Sequence, residues 1–136
     1  MSQSKNLHEA ERWLKTAQQD SRAAQSLSDN GFFAHACFQA QQCGEKVLKA
    51  LWYLYDHEPW GYSIQRLVAE FPDVTIIPDL EDWIRRAAAL DRYYIPTRYP
   101  NGLPDLTPGQ SYFQQDAESA IANASTFLEA AHKVVR

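Results

Sequence analysis

Apolar positions recur at spacings of three and four along most of this chain, which is the helical period. From about Lys5 to Leu27 the stripe is Leu7, Ala10, Leu14, Ala17, Ser21 and Ala24, widened by Trp13 and Leu27. Ser28, Asp29, Asn30 and Gly31 close it, and a turn that short makes the next helix an antiparallel neighbour. The next helix, Phe32 to Tyr55, organises the rest. Its first face, Phe33, Ala36, Cys37, Ala40, Cys43, Gly44, Val47, Leu48, Leu51 and Leu54, is core. Its second carries His35, Phe38, Gln39, Gln41, Gln42, Glu45, Lys46, Lys49, Trp52 and Tyr53, a mixture that predicts a partner.

Asp56 to Gly61 end this helix, and Ser63 caps a short one across Ile64, Leu67, Val68 and Phe71, closed by Pro72 and Asp73. Val74 to Ile77 is β-branched but has no companion strand, so it reads as an extended connector. Pro78 opens the fourth helix, with Asp79, Glu81 and Asp82 in its first turn and Leu80, Trp83, Ile84, Ala87 and Leu90 inward, as far as Tyr94. Residues 95–110 hold Pro96, Pro100, Pro104 and Pro108 and predict a loop without helix. The last helix begins near Ser111 and buries Phe113, Ala117, Ala120, Ile121, Ala124, Phe127, Leu128, Ala131 and Val135. The fold class is all-α: an up-and-down bundle of four main helices plus a short one, with a long proline-rich loop before the last, in a single domain over 1–136.

Composition narrows the function. A chain of 136 residues can bury its own core. A net charge of −4 argues against coating DNA or RNA by bulk electrostatics, so any phosphate site must be local. Cys37 and Cys43 lie on the core side of one helix at a spacing poor for a mutual bridge, and read as reduced thiols of an intracellular protein. No stretch resembles a secretory signal or is long and apolar enough to span a bilayer, so a soluble cytoplasmic protein is expected.

Two cations one turn apart, Lys46 and Lys49, can reach neighbouring phosphate oxygens. The alternative is that Lys49 pairs with Glu45 while Lys46 is solvated. Glu45 divides in the same way between ion pair and ligand contact. Gln41 and Gln42 can read a base edge or lie on a helix surface. Arg98, near Arg92 and set between Tyr94 and Tyr99, suits bidentate phosphate recognition or pins the loop to Asp20 or Glu45. Phe38, Trp52 and Tyr53 fit a dimer interface or a stacking platform. His35 sits at the rim of the central helix, and no set of ligands at matched spacing suggests a metal.

The run Cys37-Phe38-Gln39-Ala40-Gln41-Gln42-Cys43-Gly44-Glu45-Lys46-Val47-Leu48-Lys49-Ala50-Leu51 resembles the signature helix of HEPN domains, written F-x-A-Q-Q-A-x-E-K-x-L-K-A. Asp20, Ile64 to Leu67, and Tyr94 through Arg98, Tyr99 and Pro100 fall where that family has other landmarks. The resemblance implies a commonly dimeric helical bundle associated with nucleotide binding, such as ATP, and paired with a small, separately encoded nucleotidyltransferase. No cofactor is required by it. Some members are metal-independent ribonuclease toxins that use an Arg followed after four to six residues by His. No Arg of this chain has that partner, and Tyr62 stands where many relatives carry His. Cleavage through the 2′-hydroxyl needs a base and a cation together, so a non-catalytic module is expected ahead of a ribonuclease with a non-standard site. A purely structural homodimer is the third reading.

Overall fold

The computed structural model describes residues 2–135, so the outermost ends of the expected domain lie outside the described residues. Six α-helices follow one another among the described residues: α1 (Gln3–Asp29), α2 (Phe33–Leu54), α3 (Ile64–Ala69), α4 (Leu80–Asp91), α5 (Pro108–Ser111) and α6 (Gln114–Val134). No strand occurs among the described residues.

The α1/α2 hairpin is the frame. Ser2 caps α1 by accepting the Lys5 N–H, and Gly31 at φ 83° turns the chain back, a conformation that favours glycine. Trp13 then faces Tyr53 and Asp20 faces Lys46, the descending order that antiparallel neighbours require.

Helix α2 is more deeply buried than two separate faces predict. Gln41, Glu45 and Trp52, all from its second face, lie inside with the expected apolar set. Trp52, expected at an interface, is covered by its own chain. Its indole N–H donates to the Leu67 carbonyl at 2.9 Å and its ring packs edge-on to Phe71, because α3 folds over it.

Asp91, at the end of α4, holds α3 in place. Its carboxylate accepts the N–H groups of Ile64 (2.7 Å) and Gln65 (3.0 Å) and the Ser63 hydroxyl (3.0 Å), while Ser63 caps Arg66. An anion at a helix start satisfies donors that the helix itself leaves open.

Several boundaries differ from expectation. Val74–Ile76 forms a 3₁₀ turn capped by Asp73, not an extended connector. Helix α4 starts at Leu80, because Asp79 takes an extended backbone and accepts the Asp82 N–H, so Pro78 lies before the cap. The helix ends at Asp91 rather than Tyr94, ahead of Pro96, whose ring disfavours helix in the residue before it. The proline-rich loop contains a 3₁₀ turn at Pro100–Gly102 and the single turn α5, where Pro108 occupies the first helical position and Thr107 with Gln110 forms a capping box. Tyr112 and Phe113 are extended and Asp116 accepts the Phe113 N–H, so α6 starts at Gln114 and Phe113 is 65% exposed rather than core.

Gly44 lies where α2 meets the other layers. A Cβ there would stand 2.8 Å from Leu90 Cδ1, 3.3 Å from Ile64 Cδ1 and 3.6 Å from Phe127 Cδ2. Small residues Ala117, Ala120 and Ala124 let α6 approach closely, and the Trp83 ring packs tilted against Phe127 at 4.7 Å between ring centres.

Candidate functional site

Ion pairs decide first which charges are available. Lys46 donates to Asp20 of α1 at 2.7 Å, so it is paired across the hairpin and only partly exposed. Lys49 Nζ lies 3.7 Å from Glu45 Oε2, the pairing that its spacing allowed. Arg98 binds neither Asp20 nor Glu45. Its Nε donates to the Tyr94 carbonyl at 2.9 Å, and its guanidinium lies 4.5 Å from the Phe38 ring centre, 4.9 Å from Tyr94 and 5.2 Å from Tyr99. Among the described residues no carboxylate pairs with Arg98 or with the exposed Arg92 that ends α4.

These groups join into one ribbon of rings and cations. From Arg98 it passes to Tyr94, which stacks on Tyr62 at 5.5 Å and 16°. Lys49 Nζ stands 5.5 Å from the Tyr62 ring and 5.9 Å from Trp13, and Trp13 packs on Tyr53 at 5.6 Å. Four segments supply it: α1, α2, the turn before α3, and the loop after α4. Cations over ring faces are attracted by the ring quadrupole, and rings so placed keep a cation oriented. Tyr62 and Tyr99 remain 63% and 49% exposed, so both rings can be reached from solvent.

Trp13 and Tyr62 are the residues that sequence reasoning missed. Trp13 read as a widening of the α1 stripe, and Tyr62 as a departure from a family pattern. Phe38 and Tyr53, expected to face a partner, are half-buried against Arg98 and Trp13 of their own chain. His35 is exposed and edge-on to Phe32, away from the ribbon's contacts.

Beneath the ribbon the electrostatics are unusual. Burial holds the Glu45 carboxyl above its ordinary range, and the ammonium groups of Lys49 and Lys46 only partly oppose that. Gln42 donates to the Gln41 amide oxygen at 2.8 Å. A groove of about 490 Å³ adjoins on the α1 side, bounded by Trp13, Lys15, Gln19 and Lys46. No cluster of three or more His, Cys, Asp or Glu among the described residues could hold a metal, and no described helix is long and apolar enough to cross a membrane.

The HEPN domain model matches residues 10–134, from within α1 to the last residue of α6. The chain belongs to the HEPN family. TT1696 from Thermus thermophilus superimposes with a TM-score of 0.86 at 38% identity, over 91% of this chain and 96% of its own. An archaeal HEPN homologue, ST0689, gives 0.77 at 31% identity over 93% and 98%. A HEPN domain protein from Thermotoga maritima shares the fold at 0.70 and 24% identity, over 90% and 96%. In sequence, the chain is 27% identical to a candidate toxin of Methanocaldococcus jannaschii, MJ1304, across 91% of this chain and 86% of that one.

Proposed function

We propose that this HEPN protein is a non-catalytic module that binds a nucleotide or another phosphorylated ligand on the ring-and-cation ribbon. In this reading it works as a homodimer with a separately encoded minimal nucleotidyltransferase in the cytoplasm, in a two-component system of toxin and antitoxin type. The observation that carries it is Arg98, whose guanidinium is oriented by three rings and one carbonyl while no described carboxylate neutralises it. A planar cation held that way offers paired N–H donors to phosphate oxygens, and the exposed rings of Tyr62 and Tyr99 lie beside it for the aromatic contacts that nucleotides use. The candidate toxin from M. jannaschii supports the toxin and antitoxin setting. Buried, unpaired thiols at Cys37 and Cys43 fit a reducing compartment.

The test is a titration of the folded protein with ATP, with and without magnesium, beside inorganic tripolyphosphate, read by tryptophan fluorescence and thermal melting. Trp13, beside Lys49, is the reporter; Trp52 is walled in by α3. Saturating ligand at a hundredfold excess over Kd adds about 2.7 kcal/mol of stability. Arg98→Ala should weaken binding by roughly ten- to a hundredfold, the range for hydrogen bonds to a charged group. Absence of any saturable response overturns the reading. Metal-free RNA cleavage that disappears in Arg98→Ala would replace it with the ribonuclease reading.

A further inference from the structure

Asp91 is tied to both rings at the centre of the ribbon, by two different groups. Its backbone carbonyl accepts the Tyr94 N–H at 3.3 Å. Its side-chain carboxylate accepts the Ser63 hydroxyl and the N–H groups of Ile64 and Gln65, the residues that directly follow Tyr62. Tyr62 and Tyr94 stack at 5.5 Å from segments far apart in the chain, so those segments must be fixed against each other.

Little else fixes Tyr62. From Glu58 to Tyr62 no backbone–backbone hydrogen bond to a described residue restrains the turn. Trp60, in the same turn, lies 4.3 Å from the Arg66 guanidinium and is thereby tethered to α3, whose first N–H groups Asp91 holds. Helix α3 has a separate hold on the core: Leu67 and Val68 are buried, and the Leu67 carbonyl accepts the Trp52 indole N–H. Loss of the Asp91 carboxylate therefore releases the turn and the start of α3. Tyr94, held through the backbone, stays beside Arg98.

Resting on the reading of the ribbon as a nucleotide site, we propose that Asp91 is a positioning residue for the base: its carboxylate keeps the Tyr62 ring where a nucleotide base meets it, while Arg98 takes the phosphates. The phosphate end depends on groups that this carboxylate does not touch. Arg98 is oriented by Phe38, Tyr94 and Tyr99, and Lys49 keeps Glu45 and Trp13 as neighbours wherever Tyr62 lies. The base end is an exposed ring on a turn, and a ring that must be ordered on binding contributes less affinity than one already in place. Two ligands separate the ends, because ATP carries a base and a triphosphate and inorganic tripolyphosphate carries only the second. Removing the Asp91 charge favours both anions, so the readout is the ratio of their affinities.

The experiment is calorimetric titration of the full chain with ATP and with tripolyphosphate, for the wild type, Tyr62→Ala, Asp91→Ala and the double variant, each shown folded by circular dichroism. Asp91→Asn, which keeps one acceptor oxygen, takes the place of Asp91→Ala if that protein does not fold. Tyr62→Ala should lower the ratio of ATP to tripolyphosphate affinity at least about fivefold, the lower end for loss of one base–aromatic contact. Asp91→Ala should lower it by a comparable factor, and the double variant should fall no further than Tyr62→Ala, since Asp91 acts through that ring. A role in stability alone leaves the ratio at its wild-type value. An unchanged ratio in Tyr62→Ala or Asp91→Ala, or a double variant whose loss is the product of the two single losses, overturns the positioning while the phosphate site stands. No binding of ATP to the wild type overturns the nucleotide site and the role of Asp91 together.

Discussion

Replacing Gly44 by alanine should destabilise this protein, although the same change in an exposed helix stabilises by about 1 kcal/mol. The new Cβ would lie 2.8 Å from Leu90 Cδ1, well inside the roughly 3.5 Å at which carbon atoms meet favourably. Leu90, Ile64 and Phe127 are all fully buried, so none can step into solvent to make room. Forcing a methyl group into such a core costs about 1–3 kcal/mol, which leaves a net loss of about 1 kcal/mol after the propensity gain. For a domain of this size that is about 3–4 °C in Tm. A double-mutant cycle isolates the cause. Leu90→Ala alone should cost about 2–5 kcal/mol, and in that background Gly44→Ala should turn neutral or stabilising because the contacted atom is gone. Urea unfolding followed by circular dichroism measures all four proteins. A Gly44→Ala protein more stable than wild type, or an unchanged effect in the Leu90→Ala background, refutes the close-packing argument. The consequence reaches the site, because the α4 helix that Gly44 admits ends in Asp91 and leads directly to Tyr94 and Arg98.

Three further expectations follow from burial and capping. The native Glu45 carboxyl binds its proton more tightly than the unfolded chain does, so its contribution to stability declines as pH rises from below 4.5 through the native pKa, and the deficit is complete above it. Glu45→Gln should therefore gain on the wild type as pH rises through that window and match it at acid pH in thermal melts; a pH-independent difference would refute this. Asp91→Ala removes the acceptor for two backbone N–H groups and the Ser63 hydroxyl and should cost about 2 kcal/mol, the upper range for a lost cap, with faster amide exchange at Ile64 and Gln65. Unchanged protection at those amides would show that α3 does not depend on it. Burial pushes both the Cys37 and Cys43 thiols up to about 12, so native protein at neutral pH should resist iodoacetamide until denaturant is added. Alkylation at the rate of a free thiol would refute that.

What the sequence reveals here depends on the length over which a pattern repeats. Helices α1, α2 and α6 each run for more than twenty residues, so their period is unmistakable and the bundle follows from it. Helix α3 has six residues, too few to announce that it covers Trp52, and an aromatic side chain on a second face reads the same whether its neighbour is another molecule or the next turn of its own chain. Boundaries fell to rival local rules. Pro78 and Asp79 both suit a helix start, and Asp79 prevails because its carboxylate supplies the Asp82 N–H with an acceptor, whereas proline only avoids needing one. The Thr107 and Gln110 pair was a readable capping box, obscured by the surrounding prolines. At the site, residue types and the Glu45–Lys49 pair within α2 were legible, but the pairing across the α1/α2 hairpin was not. Asp20 takes Lys46 there, and Arg98 is left to the rings. Which cation stays free is settled in part by distances between segments, and no spacing along one helix contains them.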